Sequence, residues 1–252
     1  MTTALITGAS SGLGAEFARQ LAAEGHDLVI VARHKDRLDA MARELTYRHG
    51  VDVEVLAADL TDALGLGTAV TRAKDPSRPV GILVNNAGHG LLHDFHNTPL
   101  PDEVSHLRLH VEAALSLCHA VLPGMLARGE GRIINVASVA AFLPRGTYSA
   151  AKAWLVSFSR WANVHYRRSG VKVTALCPGF TRTEFHERMG METRRYPGWT
   201  WLAADRVVRD GLRENLAGRS VSVPSAVYKA VVLASKVLPD RFLGGPARRP
   251  RR

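Results

Sequence analysis

Short aliphatic runs recur along the chain, separated by longer stretches with helical spacing. Ala4–Thr7, Leu28–Ala32, Val53–Ala57, Ile82–Val84, Ile133–Val136 and Val171–Leu176 are rich in Val, Ile and Leu, and none alternates cleanly with polar residues. Such runs suit strands covered on both faces, as in a parallel sheet. Between them, Leu13–Glu24, Lys35–Arg48, Ala63–Ala73, Asp102–Ala127 and Tyr148–Arg168 carry helical spacing. The alternation predicts βαβ units and an α/β fold: a doubly wound, mostly parallel sheet with helices on both faces. Ser169-Gly170 predicts a helix C-terminus, and Pro123 marks a place where the long helix bends or restarts.

Composition narrows the picture. The 252 residues are 46% hydrophobic and 22% charged, which suits one globular domain, expected over 1–243 with a basic, disordered tail over 244–252. Twenty-two Gly and twelve Pro spread along the length exclude a coiled coil. The net charge is +10, but Arg248, Arg249, Arg251 and Arg252 supply four of those charges, and the rest are mixed with Asp and Glu. With no zinc-finger or aromatic RNA-binding motif, specific nucleic-acid binding is not expected. Cys118 and Cys177 lack metal-ligand spacing, so they read as reduced core residues and no metal is expected. No signal peptide is expected at the N-terminus. The late apolar stretch Ala226–Leu238 is broken by Lys229 and Lys236 and is too short to cross a bilayer, so a cytoplasmic protein is expected. Its two lysines fall on one side of a helix. With the arginine tail that helix could rest on an anionic membrane, but packing on the domain or on a second subunit is the favoured expectation.

The candidate chemistry begins where the first strand ends, at Thr7-Gly8-Ala9-Ser10-Ser11-Gly12-Leu13-Gly14, with a helix following at once. Glycines at such a turn allow a tight bend, close backbone approach to a pyrophosphate and close helix–strand packing, and the helix N-terminus offers unpaired N–H groups to phosphate. Asn85-Asn86-Ala87-Gly88 follows the fourth strand, Ser138 the fifth, Tyr148-x-x-x-Lys152 opens the next helix, and Pro178-Gly179 follows the sixth strand. These four elements, in this order, resemble the short-chain dehydrogenase/reductase family over about Thr3 to Val223.

The resemblance implies a Rossmann fold with strand order 3-2-1-4-5-6 and an added strand near Ser220–Val223. It also implies an oxidoreductase interconverting a carbonyl compound and its alcohol, with the cofactor held by Thr7, Gly8, Ser10, Ser11, Gly12, Leu13, Gly14, Asn86, Ala87, Gly88, Pro178, Gly179, Thr181 and Thr183. Asp59 with Leu60, after the third strand, resembles the family's adenine contact; as a lone Asp it serves equally well as a helix cap. Arg33 ends the second strand. An acidic residue there would bind a ribose 2′-hydroxyl, whereas a guanidinium grips a 2′-phosphate. With His34, Lys35 and Arg37 adding positive potential, NADP(H) is preferred over NAD(H), although Ser11 stands where NADP-preferring relatives often carry a base.

Tyr148 and Lys152 lie four positions apart, on one helix face. A free phenol titrates near pH 10, and a neighbouring ammonium is expected to lower that value, fitting Tyr148 to exchange a proton with the substrate oxygen. Ser138 could hydrogen-bond the same oxygen, and the resemblance has Lys152 also hold the nicotinamide ribose. The Ser138–Tyr148 interval is a few residues shorter than the family usually has, so the loop Ala140–Thr147 should be tight. His110 falls where the family often carries an asparagine that helps hold a water of the proton relay; a histidine there could keep the relay and add pH sensitivity near neutrality, or simply pack the helix. Over about 180–202 the residues Phe185, Met189, Met191, Tyr196, Trp199 and Trp201 read either as a lid over an apolar pocket or as core and interface, and Arg182, Arg194 and Arg195 read as solvated or as greeting an acidic substrate. The resemblance further implies a homodimer or homotetramer built on the long helices. The alternatives are a sensor or scaffold that binds NADP(H) without turnover, and an NAD-linked alcohol dehydrogenase.

Overall fold

The computed structural model describes residues 2–91, 93–184 and 197–243. Seven strands, β1 (Thr3–Thr7), β2 (Leu28–Ala32), β3 (Val53–Ala57), β4 (Val80–Asn85), β5 (Gly131–Val136), β6 (Val171–Leu176) and β7 (Val221–Ser222), form one sheet in the order β3-β2-β1-β4-β5-β6-β7. Every pairing is parallel. Each strand therefore needs a crossover, and the helices α1 (Gly12–Ala23), α2 (Lys35–His49), α3 (Ala63–Lys74), α4 (Leu100–Leu107), α5 (Ala113–Arg128), α6 (Gly146–Tyr166) and α7 (Ala204–Leu216) supply the cover. Two shorter helices, α8 (Ala226–Ala234) and α9 (Asp240–Leu243), follow β7.

One core layer sets Phe17, Leu21, Leu38, Leu45, Val207 and Val208 against one face of the sheet. The other sets Leu117, Val121, Met125 and Ala162 against the opposite face. β2 is buried at all five positions, as its aliphatic run predicts. β3 departs from that expectation. It is the sheet edge and only partly covered, and its Glu54 accepts from Arg72 Nε at 2.7 Å and from Arg78 Nη1 at 3.1 Å.

Two helical expectations are revised. The long helix runs through Pro123 without restarting and is interrupted earlier, by a π-helical turn over Arg108–Glu112. Leu100–Arg128 is long and apolar enough to cross a membrane by composition, yet Ala114, Leu117, Cys118, Val121 and Met125 are buried inside the protein. The helical stretches expected from the sequence do not include α7, whose Val207, Val208, Gly211, Leu212 and Asn215 form a buried stripe. Asn215 ties that helix to the sheet. Its Nδ2 donates to the Ile133 carbonyl at 3.1 Å and to Thr174 Oγ1 at 3.0 Å, and its Oδ1 accepts from Arg132 Nε at 3.0 Å.

Candidate active site

The strand order reverses direction between β1 and β4, and in open parallel sheets ligands bind in the crevice beyond the strand ends at such a point. A cleft of about 490 Å³ opens there. It is lined by Gly8, Ser10, Ser11, Gly12, Leu13, Arg33, Asp59, Leu60, Asn86, Ala87, Gly88, His110, Ser138, Tyr148, Lys152, Pro178, Gly179, Thr181 and Thr183. Two of the expected cofactor-binding residues, Thr7 and Gly14, stand behind its wall. Thr7 Oγ1 accepts from the amides of Asn86 at 2.9 Å and Ala87 at 3.0 Å, clipping the β1 and β4 turns together. Asn86 Nδ2 donates back to the Thr7 carbonyl at 3.0 Å. Gly14 is needed for close approach, since a Cβ there would run into the Gly8 carbonyl.

These residues fit a dinucleotide. Ser11, at the N-cap of α1, makes no side-chain cap hydrogen bond, and the first turn of α1 carries no acidic residue. The helix thus presents amide donors and its positive dipole end to the cleft with no protein anion to compete. At the far end, Arg33 is exposed, with Nη1 3.8 Å from Asp59 Oδ2. Burial raises the Asp59 pKa, but hydrogen bonds from the Thr61 amide and hydroxyl, with Arg33 nearby, outweigh it and hold the carboxyl below its ordinary value. The helix cap is Asp62, whose Oδ1 accepts from the Gly65 amide at 2.7 Å, so Asp59 is released from the capping alternative. The basic cluster is weaker than its composition suggests. Lys35 pairs with Asp39 at 2.8 Å and Arg37 with Glu184 at 3.6 Å.

The inner end of the cleft gathers Ser138, Tyr148 and Lys152. Ser138 Oγ caps a short 3-10 turn over Val139–Phe142, accepting from the Ala140 amide at 3.1 Å, and α6 begins four residues later at Gly146. This compact connection is the tight loop that the short interval requires. Ser138 also shares a hydrogen bond with Tyr148. Lys152 Nζ donates to the Val136 carbonyl at 2.7 Å and lies 5.7 Å from the Tyr148 ring centre. The expected lowering of the Tyr148 pKa by the ammonium is overturned. Burial pushes the phenol up to about 12 against the Ser138 hydrogen bond, and burial brings Lys152 itself down to about 7. Desolvation is the leading cause at both groups.

His110 sits on the π-helical turn, a geometry often found at functional sites. Its Nε2 lies 2.7 Å from the His89 carbonyl oxygen and 3.2 Å from the His89 amide nitrogen, donating to the first or accepting from the second according to its tautomer. Its ring packs edge-on against Tyr148 with centres 5.6 Å apart. A cavity of about 10 Å³ between His110, Lys152, Asn85 and Ala87 has room for about one water. Gly88 must lack a side chain because a Cβ would strike the His110 ring. Burial, then Lys152 and His106, drive the His110 pKa well below its ordinary value. This shift favours the neutral ring, so His110 itself does not supply pH sensitivity near neutrality.

Three features escaped the sequence reading. His89 and His106 complete an imidazole cluster, with His106 4.3 Å from the His110 ring and 6.0 Å from Tyr148. His89 had a sequence signal, since it follows the Asn-Ala-Gly turn directly. Tyr228 of α8 had none. Its hydroxyl accepts from the Phe180 amide at 3.0 Å and donates to the Thr200 carbonyl at 2.8 Å, fastening both ends of the 180–200 segment. Trp201 packs on Phe180 at 5.4 Å, Trp199 is exposed, and Arg182 is exposed. Phe185, Met189, Met191, Arg194, Arg195 and Tyr196 lie outside the described residues.

This architecture and site define a class, and comparison with known proteins names it. The short chain dehydrogenase family matches residues 2–193, and the chain belongs to that family of oxidoreductases. Oxidoreductase UcpA of Salmonella typhimurium is 35% identical over 195 residues, spanning 76% of this chain and 73% of that protein. A short-chain dehydrogenase from Sphingobium yanoikuyae, solved in complex with NADPH, is 36% identical with a TM-score of 0.85, covering 94% of each chain. The bulky-bulky ketone specific alcohol dehydrogenase from Comamonas testosteroni is 31% identical with a TM-score of 0.82, over 94% of this chain and 92% of that one.

Proposed function

We propose that this chain is an NADP(H)-dependent carbonyl reductase and alcohol dehydrogenase, taking a bulky, lipophilic ketone or aldehyde. The observation that carries the reading is the hydrogen-bonded Ser138–Tyr148 pair above Lys152 at one end of a cleft whose other end is guarded by Arg33. NADP(H) is favoured over NAD(H) because Arg33 can meet a 2′-phosphate, and a relative of 36% identity binds NADPH. A bulky substrate is in keeping with a relative specific for bulky-bulky ketones.

A bound nicotinamide supplies the hydride to the carbonyl carbon in reduction and accepts it in oxidation. The chain's own residues handle the oxygen and its proton. Ser138 Oγ holds the substrate oxygen by hydrogen bonding. Tyr148, neutral in this fold, donates its phenolic proton to that oxygen as the carbon is reduced, and retrieves one in the opposite direction. Lys152 stands beside the phenol to stabilise the resulting phenolate and to bind the nicotinamide ribose. His110 closes the inner wall and, through the small cavity it shares with Lys152, can keep a water in the relay. Residues 1–243 act as one domain in this reading, with 180–202 as its lid. The free, buried thiols of Cys118 and Cys177 suit the cytoplasm.

The test follows cofactor absorbance during turnover of a panel of bulky ketones, aldehydes and alcohols, with NADP(H) and NAD(H) in parallel. We expect turnover with NADP(H), at least about a hundredfold lower in Tyr148→Phe with cofactor affinity retained. Arg33→Ala should weaken NADPH binding and leave NADH binding nearly unchanged. Equal losses for both cofactors would remove the phosphate role. Tight NADPH binding with no turnover would favour the sensor.

A further inference from the structure

The positive charge of this protein is concentrated toward the C-terminal end of the sequence. Residues 224–252 carry seven basic residues and one acidic, a net of +6 out of +10 for the whole chain. Four of the seven, Arg248, Arg249, Arg251 and Arg252, lie outside the described residues. Of the remaining three, Lys229 pairs with Glu214 at 4.0 Å, while Lys236 and Arg241 flank an unusual surface. α8 turns Tyr228, Val231 and Val232 inward, where they pack against a core cluster, so the expected packing on the domain accounts for one face. The end of α8 and the chain that continues through α9 have no such cover. Leu233 is 66% exposed, Val237 79%, Leu238 46% and Phe242 65%, and no residue of α8 or α9 is fully buried. Lys236 lies among them, and the Arg241 guanidinium stands 4.9 Å from the Phe242 ring centre.

We propose that this α8–α9 face docks on an anionic lipid surface. Large apolar side chains beside lysine and arginine match an interfacial segment: the apolar groups leave water for the acyl boundary while the cations meet headgroup phosphates. Either contribution alone gives weak, reversible binding, and this segment holds both. A second copy of the chain is a poorer occupant, since apposing this face on itself brings like charges together. Docking would also face the substrate side of the fold, because Tyr228 on the same helix fastens both ends of the 180–200 segment. The inference does not depend on the reaction assigned above.

The experiment floats the full chain with vesicles of phosphatidylcholine alone and of phosphatidylcholine containing about a third phosphatidylglycerol. We expect at least about tenfold more protein on the anionic vesicles, falling as salt is raised. Leu233→Asp with Val237→Asp and Phe242→Asp should reduce that binding about tenfold, with the thermal melt unchanged because these side chains are exposed. Should the triple variant unfold, Lys236→Glu with Arg241→Glu is the second arm and should show the same loss. No binding to anionic vesicles overturns the proposal. So does undiminished binding by the apolar variant, which would reduce it to charge alone. A wild-type oligomer that the apolar variant splits would assign the face to a second copy.

Discussion

Burial raises the Tyr148 phenol to about 12 and lowers the Lys152 ammonium to about 7. Spacing along a helix placed the pair on one face, but the protonation of each group depends on enclosure, which spacing does not report. The same holds for the imidazoles. His106 is fully buried and neither ring nitrogen has a hydrogen-bond partner, and burial lowers its pKa to about 4. The unfolded chain therefore takes up a proton here near the ordinary value of 6.5, while the folded chain resists until about 4. Stability falls as pH drops through that window, by about 3 kcal/mol from this group alone. His106→Phe should flatten the loss, measured by denaturant titration between pH 7 and pH 4. An unchanged slope would mean that His106 is not held neutral.

Elements were legible where one face is covered by the domain and blurred where several forces share a segment. β2, β3 and β6 begin and end where their aliphatic runs do. The π-helical turn at Arg108–Glu112 has no periodic signature, because a single widened turn shifts the register without altering composition. α7 went unnoticed for another reason: its polar face is so charged that its buried stripe is only a few residues wide. That stripe ends at Asn215, which bonds to β5 and β6 at once. Asn215→Ala should leave a buried carbonyl and guanidinium without their partner and cost about 2–4 kcal/mol of stability. Chemical denaturation would read this directly, with a change under about 0.5 kcal/mol removing Asn215 as the anchor.

For the molecule as a whole, we expect association through what the sheet and its helices leave uncovered. On α6, Trp161 is 53% exposed and Val164 74%, and across the neighbouring surface Leu107 and Leu115 are also exposed. A homodimer or homotetramer would cover them, as the long helices are expected to do. Light scattering after size exclusion should give a dimer or larger for the wild type and a smaller species for Trp161→Glu with Val164→Glu. A monomeric wild type would leave that face without a partner subunit.

The sequence by itself determined the alternation of strands and helices as far as β6, the glycine turn, the Asn-Ala-Gly turn and the placing of Ser138, Tyr148 and Lys152 along it, because these depend on local periodicity and on residue types at fixed spacing. Only the tertiary structure decided that Asp62 rather than Asp59 caps α3, that Thr7 clips two turns together, that His89, His106 and His110 meet beside Tyr148, and that Tyr228 reaches the 180–200 segment from a helix nearly 30 residues further along. Apart from the local Asp62 cap, those are contacts between distant parts of the chain. Their strength comes from burial and direction in space, which no stretch of sequence carries alone.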